Sequence, residues 1–160
     1  MTAGPADASP LPPACSSGLP RRAPGRAVML RVLPGTADSA AAARRLTRDL
    51  LGPGHPELDT AMLVVSELVT NAVTHSRSGL PGGTVTVAVS TGSPGVLIQV
   101  RDNGGLTEPR VVATPPAGAE GAEHGYGLLL VSALAHTWGT TTTRAGRLTW
   151  CRVIAKPPGR

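Results

Sequence analysis

Phenylalanine is absent from this 160-residue chain, tyrosine occurs once and tryptophan twice. With aromatics at 2%, a platform on which nucleic-acid bases stack has almost no material. Lys156 is the only lysine and stands in a KPPG segment near the end. That excludes the lysine of a Walker A loop and the strand lysine of a eukaryotic-type protein kinase. If phosphates are bound, main-chain amides, arginine or a metal must hold them. Cysteine is equally scarce: Cys15 and Cys151 supply neither a disulfide framework nor a metal cage. His55, His75, His124 and His136 lack zinc spacing. No apolar run has the length of a membrane span, and the N-terminus lacks the basic start and apolar core of a signal peptide. The expectation is a soluble cytoplasmic protein without membrane contact.

What is present indicates one domain. Apolar residues make up 41% of the chain, enough for one core at this length. The net charge is +5, which raises the idea of nucleic-acid binding. The arginines are spread along the chain rather than clustered, so direct nucleic-acid contact is not expected. Residues 1–25, rich in Pro, Gly, Ala and Ser, read as a disordered arm. Residues 26–156 read as the folded domain and 157–160 as a tail.

RAVMLRVLP reads as a first strand, and GTADSAAAARRLTRDLLG as a helix capped by Thr36 or Asp38 and stopped at Gly52-Pro53. Pro56 opens a second helix that runs to Ser76. TVTVAVS and VLIQVRD alternate strictly, with Val85, Val87 and Val89 on one face and Val96, Ile98 and Val100 on another, and predict an antiparallel hairpin. A long loop from Gly104 to Glu123 follows; loops of that length are functional or disordered. GYGLLLVSALAHTWG predicts a helix, and TTTTRAGRLTWCRVIA a last hairpin around Ala145-Gly146. The order β-α-α-β-β-loop-α-β-β points to an α+β fold, a two-layer α/β sandwich with helices on one face of a mixed sheet.

The second helix carries an anomaly. At 100° per residue, Leu58, Ala61, Met62, Val65, Val69, Ala72 and Val73 gather on one side, and Glu67, Thr70, Asn71, Thr74 and Ser78 on the other. A solvated polar face ordinarily carries long charged side chains, yet no Lys or Arg occurs between Arg48 and Arg77. Asparagine is a poor helix former. Glu67 and Asn71, one turn apart, send a carboxylate and an amide into one small volume, an oxygen set that suits magnesium. His75 continues this face by another turn and reads as a surface residue or a phosphate contact.

Two further segments bear on a ligand. VRDNGG places Asp102 at a strand end, followed by Gly104 and Gly105. EHGYGLLLV places Gly125 and Gly127 just before a helix, where glycine permits close approach and the free N–H groups suit phosphate. Each alone is ordinary turn or cap chemistry. In this order and spacing, VSELVTNAVTHS, VRDNGG, HGYGLLLVSALAHTWG and GRLTWCRV resemble the GHKL (Bergerat-fold) ATPases over roughly residues 26–156. The closer resemblance is to RsbW-type anti-sigma regulatory factors, the serine kinases of bacterial partner switching.

The resemblance implies an ATP site. By it, Asn71 is similar to the magnesium-binding asparagine and Glu67 to the catalytic base. Asp102 is similar to the aspartate that accepts a hydrogen bond from the adenine amino group, and Gly104 to the glycine that lets the base approach. Gly125 and Gly127 are similar to the hinge and phosphate-cradling glycines of a lid, with Tyr126 and Leu128 completing that segment. The chain departs from the family at Leu106, where the pattern has glycine. Tyr126 stands where relatives often carry arginine, and Arg110 is a substitute phosphate contact. The cofactors implied are ATP and Mg2+. The implied activity is transfer of the γ-phosphate to a serine of an anti-sigma-factor antagonist. The competing reading is a binding module in which ATP only sets affinity for a sigma factor or another regulator. A nucleic-acid binder driven by charge is the third. The resemblance also suggests a homodimer.

Overall fold

The structure, a computed structural model, describes residues 28–92, 94–105 and 127–155. The arm, the tail, most of the long loop, and Leu106, Arg110, Gly125 and Tyr126 lie outside the described residues. Strand β1 (Val28–Pro34) is followed by helices α1 (Asp38–Leu51) and α2 (Leu58–His75) and a short 3-10 turn, Arg77–Gly79. Then come β2 (Thr84–Thr91), β3 (Val96–Asp102), α3 (Gly127–Leu134), β4 (Thr137–Thr143) and β5 (Gly146–Val153).

The strands form one sheet in the order β1-β2-β3-β5-β4. Alternation in β2 and β3 sets its buried face: Val87 pairs with Val100 and Val89 with Ile98, while Ile98 also pairs with Cys151 on β5. All five are buried and pack on Ala61, Val65, Leu68, Val69 and Ala72 of α2. Burying one such side chain stabilises the fold by about 1.5–3 kcal/mol, so this seam between α2 and the sheet fixes the register. Burial also pushes the Cys151 thiol well above its ordinary pKa, leaving it an inert core residue.

The α+β, two-layer expectation holds, but the sheet is not mixed. Every pairing among the described strands is antiparallel. The reason lies in the return path. β4 runs in the same direction as β3, but the β4–β5 hairpin inserts β5 between them, so the two parallel strands never pair.

Four boundaries differ from the sequence reading. Ala37 holds the N-cap position of α1 without a side-chain bond, in place of Thr36 or Asp38. Asp38 lies in the first turn instead, where its charge favours the helix dipole. Helix α2 begins at Leu58, with Pro56 in the preceding turn. Ser78 is not on the α2 face but beyond its end, fully buried. Helix α3 stops at Leu134, and Thr137–Gly139 already belong to β4.

Candidate nucleotide site

The end of α2 is fixed to the loop after β3 by a chain of hydrogen bonds. Ser76 Oγ donates to the Ala72 carbonyl (2.6 Å) and accepts from the Ser78 amide (3.0 Å). Ser78 Oγ donates to the Thr84 carbonyl (2.7 Å) and accepts from the Asn103 amide (2.9 Å). The Arg77 amide donates to the Gly104 carbonyl at 2.8 Å. The two segments that carry Glu67–Asn71 and Asp102–Gly104 are thereby one rigid corner. The bridging roles of Ser76, Arg77 and Ser78 were not read from sequence, where Ser78 was placed on the polar helix face; small hydroxyls just past a helix end are the signal that they cap and bridge.

Asp102, at the C-terminal end of β3, is only 4% exposed. Its Oδ1 accepts the Gly104 amide at 2.7 Å and its Oδ2 accepts Nε of Arg147 at 3.1 Å. Gly104 has φ +74°, a left-handed conformation that costs glycine nothing. Arg147, itself buried, stands opposite Asp102 on β5. Sequence reasoning missed it, although Arg147, Thr149, Cys151 and Val153 share one strand face. An arginine in line with core positions demands a buried acid.

Glu67 and Asn71 meet the first residue of α3. A Cβ on Gly127 would lie 2.8 Å from Glu67 Oε2, 3.0 Å from Asn71 Nδ2 and 3.2 Å from Asn71 Oδ1. A side chain at this position would force the ends of Glu67 and Asn71 to move aside. Among the described residues, Glu67 makes no ion pair, and the buried Asn71 Nδ2 has no hydrogen-bond partner. A buried donor left in this state costs about 1–3 kcal/mol, so it calls for a polar ligand. The side chain of Leu128 enters the hydrophobic core. His75 is exposed at the end of α2.

Three elements thus bring a carboxylate, an amide and a helix N-terminus together, with a second, buried carboxylate at the end of β3. Among the described residues no cluster of His, Cys, Asp or Glu forms a metal cage. A cation at Asn71 Oδ1 would take its remaining ligands from phosphate and water, the habit of magnesium. The orphaned Nδ2 is a donor and fits a phosphate oxygen, while Oδ1 is the atom that would be offered to the cation.

The family model for the histidine kinase-like ATPase domain matches residues 33–153. The chain belongs to that family. ATP binding is the family-level property that goes with membership. Among solved structures, the chain is similar to a crystal structure of the RsbU and RsbW domains of Rv1364c from Mycobacterium tuberculosis. The TM-score is 0.56 at 20% identity, over 81% of this chain and 33% of that one. The chain thus spans about a third of the length of that protein, and the likeness is one of fold. None of the curated proteins matches. No described helix is long and apolar enough to cross a membrane.

Proposed function

We propose that this histidine kinase-like ATPase domain is an ATP-dependent regulatory kinase that phosphorylates a serine of a protein partner. The observation that carries the reading is the start of α3 at Gly127, set against Glu67 and the unpartnered amide of Asn71. Asp102 receives the amino group of adenine, which a carboxylate, an acceptor only, can do and which the carbonyl of guanine cannot satisfy. Magnesium would neutralise phosphate charge; Asn71 Oδ1 would hold it, and Asn71 Nδ2 would donate to a phosphate oxygen. The N–H groups at the start of α3 face the phosphates. Glu67 takes the proton of the serine hydroxyl as its oxygen bonds to the γ-phosphorus and ADP leaves. Positioning and charge neutralisation dominate such a transfer.

The partner in this reading is an anti-sigma-factor antagonist, and the protein acts as a cytoplasmic homodimer that also binds a sigma factor. The fold shared with a chain that carries RsbU and RsbW domains supports a place in partner switching. The test is single-turnover transfer from labelled ATP to proteins captured from native cytoplasm with and without Mg-ATP. Transfer to a serine of a captured protein supports the kinase. Capture that depends on ATP without transfer replaces it with the non-catalytic switch.

A further inference from the structure

The pair between Asp102 and Arg147 has no part in the reading above and deepens it, resting on the assignment of Asp102 to the base. We propose that Arg147 is a positioning residue that sets the base selectivity of the nucleotide site by acting through Asp102.

Asp102 is the last residue of β3 and Arg147 the second of β5, and the two are cross-strand partners. Both are almost fully enclosed, at 4% and 5% exposure. A buried carboxylate without a counter-charge is costly, and Arg147 supplies that counter-charge at 3.1 Å.

Geometry adds direction. Carboxylate oxygens offer about four lone-pair positions in all. One on Oδ1 is taken by the Gly104 amide and one on Oδ2 by Arg147 Nε. Two fixed bonds on opposite oxygens hold the carboxylate plane, leaving acceptor positions in fixed directions for an amino group. A guanidinium has donors only and cannot itself accept from adenine, so its effect on the base runs through Asp102. Lysine would keep the charge but not the planar fork that places Nε against Oδ2. Every other residue assigned to the nucleotide lies on α2, on α3 with its preceding segment, or at the end of β3; Arg147 reaches the site from β5.

The test uses the full chain and calorimetric titration with Mg-ATP, Mg-ITP, whose base carries a carbonyl in place of the amino group, and Mg-tripolyphosphate, which has no base. Thermal unfolding is followed beside it. Arg147→Gln is expected to weaken ATP binding about tenfold or more, since a hydrogen bond to a charged group is worth about 1.5–3 kcal/mol. It should narrow the preference for ATP over ITP and leave tripolyphosphate within about twofold of the parent, less than 0.5 kcal/mol. Arg147→Lys should restore part of the preference. Should Arg147→Gln fail to fold, Arg147→Lys, which keeps the charge without the planar fork, carries the same comparison and should show a narrowed ATP-to-ITP preference with tripolyphosphate binding kept. Parallel weakening of ATP and tripolyphosphate, or an unchanged ATP-to-ITP ratio, would overturn the role of Arg147 alone. A parent that binds ATP no better than ITP overturns the assignment of Asp102, and this inference with it.

Discussion

Glu67 and Asp102 are two carboxylates of one site held in opposite ways. Asp102 is enclosed, bonded on both oxygens and charge-matched by Arg147. Glu67 is half-buried and has no ion pair among the described residues. Asp102 has both oxygens already engaged by fixed donors. Glu67 has an oxygen to spare beside the start of α3, as a base needs. In the proposed reading one carboxylate recognises and the other reacts, and the partners of each are what assign the roles.

The largest expected effect separates the two roles. Glu67→Ala should bind Mg-ATP like the parent and lose phosphotransfer by roughly 10²–10⁴-fold. Its unfolding free energy should shift by no more than about 0.5 kcal/mol, because no partner is stranded. Single-turnover transfer and denaturant unfolding read both. Transfer at the parent rate would remove Glu67 as the base and collapse the contrast.

Asp102→Ala should behave in the reverse manner. It takes from Arg147 its carboxylate partner on β3, at a cost of up to about 3–5 kcal/mol in stability, and should remove most ATP binding. Chemical denaturation shows the first and calorimetry the second. A variant as stable as the parent would mean that the pair carries no structural weight.

Gly127→Ala sharpens the contrast from the other side. The added Cβ meets Glu67 Oε2 at 2.8 Å; that atom ends a flexible side chain, so the cost should fall in the lower part of the overpacking range, about 1–2 kcal/mol. Combined with Glu67→Ala, part of that loss should return, since the carboxylate is gone while the Asn71 contact remains. Additive losses in a double-mutant cycle would show that Gly127 does not press on Glu67.

How much of this was legible in the sequence depended on whether the cause was local. The β2–β3 hairpin could be read because valines at every second position have one explanation, a half-buried strand. The polar face with Glu67 and Asn71 stood out because nothing charged screened it. α3 was overextended because GLLLVSAL is apolar all round and offers no period from which to locate its end. The antiparallel β3–β5 pairing and the Asp102–Arg147 bond join residues far apart in the chain, and local patterns carry no record of such pairings. The strand-face position of Arg147, in line with Cys151 and Val153, was the one readable clue. The site was therefore legible in its α2, β3 and α3 parts, and its β5 part came only from the fold.

The smallest expected effect falls on Asn71 and tests the central claim most directly, that the α2–β3–α3 corner is a Mg-ATP site. The measurement is calorimetric titration of the parent and Asn71→Ala with ATP, with magnesium and with the metal chelated. The account predicts parent binding in both conditions and a loss of about tenfold in the variant, near 1.4 kcal/mol, with magnesium present. The loss should be smaller without the metal, and stability should not fall, since the variant also deletes the unpartnered buried Nδ2. Equal affinity of parent and variant for Mg-ATP, or no binding by the parent, would contradict it.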